Sequence, residues 1–156
     1  MSFSPYIHFQ GNCAEAMQAY ANIFGASDLQ LMRYADAPPS AGMPAGNPDK
    51  IMHAHMTAGG QPLMASDWPD GMAGEPQASV SVTHMVADVT RGGKIFDQLA
   101  DGGAVTMPYG PTFWSQGFGM VKDRFGTHWM IMAPEVGAEA ATKAKPKARS
   151  KSKPKA

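Results

Sequence analysis

The sequence predicts an α+β fold built from two modules, each running strand–helix–strand–strand–strand. Three observations predict it. The same order of signals occurs twice between residues 3 and 133. Each half holds one apolar stripe at helical spacing among short strand-like runs. Glycine-bearing turns close a hairpin in each half.

The first module, about residues 3–67, opens with a strand at Pro5-Tyr6-Ile7-His8-Phe9. Gly11-Asn12 leads into a helix over Cys13–Phe24, where Ala14, Met17, Tyr20, Ala21 and Phe24 recur at helical spacing and Gly25 supplies the stop. Asn12 with Glu15 predicts a capping box. A strand over Leu29–Tyr34 and a Pro/Gly-rich loop follow. Ile51–Thr57 then pairs with Pro62–Ser66 across Gly59-Gly60, a favoured two-residue turn. The second module, about residues 78–133, repeats the order. A strand at Ser79–Val86 precedes a helix over Val89–Ala100, with Asp88 as its cap and Ile95, Phe96 and Leu99 as its buried stripe. Strands near Ala104–Met107, Phe118–Lys122 and His128–Met132 follow, the last two joined through Asp123-Arg124-Phe125-Gly126. Neither half buries both faces of a sheet alone, so the halves are expected to pack together or to exchange with a partner chain.

Length allows one domain, expected over residues 1–135. The formal charge of zero hides an asymmetry: seven of the thirteen Lys and Arg lie between Lys143 and Lys155, leaving residues 1–142 with six basic and thirteen acidic residues. From residue 138 the chain is mostly Lys, Ala, Pro and Ser without apolar periodicity, which predicts a disordered basic tail over 138–156. Such a tail either solubilises the protein or makes weak contacts with nucleic acid or another polyanion. The acidic body argues against binding nucleic acid itself. The single cysteine, Cys13, excludes an intrachain disulfide and a cysteine-based zinc site. With no apolar run of membrane-spanning length and no secretory pattern at Met1–Pro5, a cytoplasmic protein with no membrane partner is expected.

His53 and His55 are the sharpest local feature. Two positions apart on a strand, they project to the same face, while Met52, Ala54 and Met56 line the other against a helix. The pair suits proton transfer or substrate contact. As metal ligands the two need a third donor, for which Asp67 in the paired strand is the candidate. Ser66-Asp67-Trp68 and Thr112-Phe113-Trp114 set aromatics beside polar groups, the chemistry of a ligand pocket, although Phe113 and Trp114 equally suit a seal where the modules meet. His8, His84 and His128, scattered on separate strands, read as core or surface residues. Met85, Met107, Met120, Met130 and Met132 fall in second-module strands, as core or as a deformable pocket wall.

The doubled βαβββ order resembles the vicinal-oxygen-chelate superfamily of glyoxalase I, fosfomycin and bleomycin resistance proteins and extradiol dioxygenases. Pro5–Asn12 with Ala16 and Tyr20, Phe24-Gly25, His53-Ala54, Leu63–Asp67, Thr112-Phe113-Trp114, Gly117-Phe118-Gly119 and Asp123–Gly126 followed by Trp129-Met130 are similar to its PhnB-like branch. The resemblance implies curved mixed sheets around a cleft, helices on the outer faces, and a homodimer. It also implies one divalent metal on His and Glu side chains, but the corresponding positions here fall at Pro5, Met64, near Val82, and Met130. Those residue types do not ligate a hard or borderline cation, so no cofactor is expected. PhnB-like domains have been labelled 3-demethylubiquinone methyltransferases, yet this sequence has no glycine-rich strand-to-helix turn for S-adenosylmethionine. The expected function is therefore to bind or sequester a small molecule in a cleft lined by His53, His55, Asp67 and Trp114. The competing readings are a metal-dependent isomerase, dioxygenase or transferase using a displaced His53/His55 site, and a dimeric scaffold whose basic tail makes the interactions.

Overall fold

The protein was analysed as a computed structural model, which describes residues 3–38, 42, 46–72 and 74–137. The expected tail lies outside the described residues. The elements run β1 (Tyr6–Phe9), α1 (Cys13–Phe24), β2 (Gln30–Arg33), β3 (Ile51–Ala58), β4 (Gln61–Asp67), β5 (Val82–Met85), α2 (Val89–Ala100), β6 (Ala104–Gly110), β7 (Phe118–Lys122) and β8 (His128–Met132). A single 3₁₀ turn, Tyr34–Asp36, follows β2. None of the helices among the described residues is long and apolar enough to cross a membrane.

The sequence repeat is a repeat of topology. One sheet has the order β1-β4-β3-β2 and the other β5-β8-β7-β6, each with its first strand parallel to its last and the remaining pairs antiparallel. The two sheets stay separate and open among the described residues. The β3–β4 turn places Gly59 and Gly60 at φ 58° and 78°, as a type I′ hairpin requires of both central residues.

Each helix covers one face of its sheet. Cys13, Ala16, Met17, Tyr20, Ala21 and Phe24 bury the stripe of α1, with Ala54 and Met56 of β3 and Leu63 and Ala65 of β4 buried on the helix side of the sheet. The predicted capping box does not form: the Asn12 side chain makes no cap bond. Asp67 at the end of β4 does that work instead. Its Oδ1 accepts from the Gly11 and Cys13 amides at 2.9 and 3.0 Å, so a carboxylate sits at the positive end of α1. α2 starts as predicted, with Asp88 accepting from the Arg91 amide at 2.7 Å. Gly92 is the fourth residue of α2, where glycine costs up to about 1 kcal/mol relative to alanine. Here a Cβ would run into the Tyr109 hydroxyl and Val86.

The modules share one core. Tyr20 of α1 packs edge-on against Phe125 and Trp129 of the second module, and Phe24 lies against His84 and Trp129. At the junction the Tyr20 hydroxyl donates to Asp123 Oδ2 at 2.7 Å, and Trp129 Nε1 donates to the same oxygen at 2.7 Å. The other carboxylate oxygen takes the Phe125 and Thr127 amides. Burial and the neighbouring Asp123 charge push the Tyr20 hydroxyl well above the ordinary phenol range, so it remains a donor.

Candidate functional site

Helix packing on one face leaves the other face of the first sheet for a site. In β1, Ile7 and Phe9 go into the core, so Tyr6 and His8 point the other way. In β3 the buried Ala54 and Met56 leave His53 and His55 on that same open face, as the sequence predicts. Parallel pairing sets Tyr6 beside Met64 and His8 beside Ser66. Antiparallel pairing sets His55 on the other side of Met64.

These side chains touch in a row. The Tyr6 hydroxyl lies 3.2 Å from His53 Nδ1, and the two rings are 5.8 Å apart. The ring of Tyr6 lies 5.1 Å from that of His8. His8 stacks on Trp68 at 4.6 Å with 29° between the planes, and its Nδ1 lies 3.0 Å from the Ser66 hydroxyl. Trp68 is held by its loop: Lys50 Nζ donates to the Trp68 carbonyl at 3.1 Å and pairs with Asp70, which also accepts from the Asn47 amide. Lys50 holds the exposed Asp70 carboxyl below the usual carboxylate range. Tyr6, His8 and Trp68 open on a cavity of about 390 Å³, which Pro5, Glu75 and Val80 also line. A second cavity of about 210 Å³ begins on the far side of His8, with Gln10, Asn12 and Lys122 in its walls. His8 and the segment Glu75–Gln77 border both.

None of the four predicted cleft residues lines either cavity: His53 and His55 share the open face but stand outside both, and Asp67 and Trp114 stand off that face. Asp67 is buried on the helix side, and its Oδ2 accepts from the Ile51 amide at 2.9 Å while Oδ1 serves Gly11 and Cys13. Alternation along β4 sets it opposite Ser66, so it cannot complete a ligand set with His53 and His55. Trp114 lies beyond the end of β6, 41% exposed, with its ring against Phe113 and Phe118. Phe113 is 91% exposed, so the pair does not seal the module junction. Tyr20, Phe24 and Trp129 do that. Ser66 and Trp68 belong to a segment whose pocket chemistry the sequence shows, whereas Tyr6 and His8 were not expected there. The signal was present in the alternation Tyr6-Ile7-His8-Phe9, whose two apolar members declare which face is core.

The residues do not fit the divalent metal that the fold family implies. Pro5 offers no side-chain donor atom and its carbonyl accepts from the Met64 amide, while Met64 and Met130, set beside Tyr6 and Thr83, carry only thioethers. Among the described residues no three His, Cys, Asp or Glu side chains gather into a metal-binding group.

The family model described as 3-demethylubiquinone-9 3-methyltransferase matches residues 1–132. Protein YjdN of Escherichia coli K12 is 38% identical over 143 residues, covering 84% of this chain and 94% of its own. The crystal structure of protein PA1353 from Pseudomonas aeruginosa matches with a TM-score of 0.78 at 38% identity, covering 86% of this chain and 98% of its own. The PhnB protein from Bacillus cereus matches with a TM-score of 0.64 at 25% identity, covering 85% and 99%. Solved glyoxalase and bleomycin-resistance domains share the fold at lower identity. The chain belongs to the PhnB-like family, matched by the 3-demethylubiquinone-9 3-methyltransferase model, and has the fold of the glyoxalase/bleomycin resistance/dioxygenase domains.

Proposed function

We propose that this protein binds or sequesters a small molecule on the open face of its first sheet, without the divalent metal of its superfamily. The observation that carries the reading is the row Tyr6–His8–Trp68, which lines a cavity of about 390 Å³ along β1, with His53 outside the cavity and against the Tyr6 hydroxyl. A ligand site is mostly apolar with a few aimed polar groups, and this one has both. The rings of Tyr6, His8 and Trp68 offer flat surface to a planar group. Tyr6–His53 and His8–Ser66 are preset hydrogen-bonded pairs that exchange donor and acceptor roles with the histidine tautomer. A ligand can therefore meet either a donor or an acceptor at little cost in reorganisation. Methyl transfer is not part of this reading, because a doubly wound parallel sheet with a glycine-rich turn holds the methyl donor in that chemistry. The working unit is taken to be a homodimer, and the basic tail the part that meets polyanions.

The test is a fluorescence titration with 8-anilinonaphthalene-1-sulfonate in EDTA, on wild type, His8→Ala, Trp68→Ala and Asp97→Ala. The last changes an exposed α2 residue and serves as the control. The reading expects saturable binding in EDTA, weakened by roughly 1–3 kcal/mol in His8→Ala and Trp68→Ala and unchanged in the control. Equal affinity in all four proteins, or binding abolished by EDTA, refutes it.

A further inference from the structure

The second sheet, by contrast, presents sulfur on its open face. Gly119, Val121, Trp129 and Ile131 are buried on the α2 side, so Phe118, Met120, His128, Met130 and Met132 alternate onto the other. The ladder places Met107 of β6 opposite Met120 of β7, between two register shifts in β6, and Met120 opposite Met130 of β8. Three thioether side chains thus stand abreast on three adjacent strands, all half-buried and none in the core. The Thr83 hydroxyl lies 3.8 Å from the sulfur of Met130, so that sulfur lies at the β5–β8 side of the same face. Met85, paired with Met132, and His128, two residues before Met130, extend the same field.

A methionine is a poor choice for a half-exposed strand face if packing were all it served. Leucine or valine would present apolar surface with fewer rotamers to restrain. What the thioether adds is a soft, neutral donor. Directly opposed residues in such a ladder have Cα atoms about 4.5–5.5 Å apart, so the outer two of three lie about 10 Å apart. Each methionine has three rotatable side-chain bonds, enough for all three sulfurs to converge over the central strand. Soft thioethers select monovalent, d¹⁰ ions over hard or borderline divalent ones.

We propose that Met107, Met120 and Met130 form a site for a soft monovalent cation, Cu(I) or its surrogate Ag(I), with His128 available as a further donor. This goes beyond the small-molecule reading and uses the other sheet. Thioethers carry no proton to lose, so binding by the three sulfurs alone is independent of pH across the range where histidine titrates.

The test uses the full chain labelled with ¹³C at the methionine methyls, titrated with Ag(I) nitrate in a chloride-free buffer and followed by NMR. The expected result is that one equivalent shifts the methyl resonances of Met107, Met120 and Met130 together, at pH 5.5 and at pH 7.5 alike. Met120→Leu, a nearly volume-conserving change, should weaken Ag(I) binding by about 10–100-fold. The triple Met→Leu variant should lose this Ag(I) equivalent, and Cys13→Ala, which removes the one thiol that could compete for Ag(I), should leave the three methyl shifts in place. If the three methyls do not move, or only other methionines move, or Met120→Leu binds Ag(I) as tightly as wild type, the site does not exist.

Discussion

Tyr20→Phe removes one oxygen from the junction of the two modules and leaves every ring contact in place. The hydroxyl donates to Asp123 Oδ2 at 2.7 Å and lies 3.0 Å from the Thr127 hydroxyl, and Tyr20, Asp123 and Thr127 are all buried. A hydrogen bond to a charged group contributes about 1.5–3 kcal/mol, and water has no ready access to replace this one. Asp123 keeps three donors, Trp129 Nε1 and the amides of Phe125 and Thr127, so the carboxylate is weakened in its support without being stranded. The expected loss is about 2 kcal/mol, which for a body of this size lowers Tm by roughly 6–8 °C. Urea unfolding followed by far-UV circular dichroism gives the free energy, with an unchanged m-value showing that the unfolded state is the same. Tyr109→Phe is the comparison: its hydroxyl makes only a neutral bond to the Val89 carbonyl at 3.2 Å, so about 1 kcal/mol or less should be lost. If Tyr20→Phe costs no more than Tyr109→Phe, the Asp123 network does not hold the modules together.

His84 packs against the Phe24 ring, and burial first, then the Arg91 charge, hold its imidazole below the ordinary 6.5. A histidine kept neutral on folding supports stability above the unfolded pKa, so unfolding free energy should fall as pH drops below about 6.5, and His84→Gln should flatten that slope in urea titrations. Purified untagged protein should carry well under one equivalent of Zn, Ni, Mn or Fe by elemental analysis; stoichiometric metal lost in His53→Ala would instead support the isomerase, dioxygenase or transferase reading. Deleting residues 138–156 should leave the unfolding midpoint unchanged and remove any duplex-DNA binding, which in the full chain should show a log–log salt slope on the order of −5. DNA binding retained by the shortened protein would place it on the body.

Most of the architecture was legible because it depends on local periodicity. Both helices occupy the residues their apolar stripes mark, and Gly25, Gly59-Gly60 and Asp88 act where turn and cap chemistry places them. Side-chain directions at the candidate site were legible only where alternation alone decides them. His53 and His55 share the open face because Ala54 and Met56 could only be core. Asp67 was misread for a different reason. Its position beside Ser66 and Trp68 suggested a ligand contact, but the fold brings the N-terminus of α1 and the start of β3 to it from 54 and 16 residues away. Three backbone amides then occupy the carboxylate, and nothing in the neighbouring sequence announces them. Trp114 was misplaced likewise, since an aromatic beside a threonine looks the same at a module junction and on an exposed turn.

The central claim is that the Tyr6–His8–His53–Trp68 face binds a ligand and needs no metal to do so. An amide chemical-shift map of the full chain on adding 8-anilinonaphthalene-1-sulfonate in EDTA tests both parts together. The account predicts shifts concentrated at residues 6–8, 53–55 and 64–68, unchanged when EDTA is replaced by excess Zn(II). Shifts confined to other parts of the chain, or appearing at this face only with the metal, would contradict it.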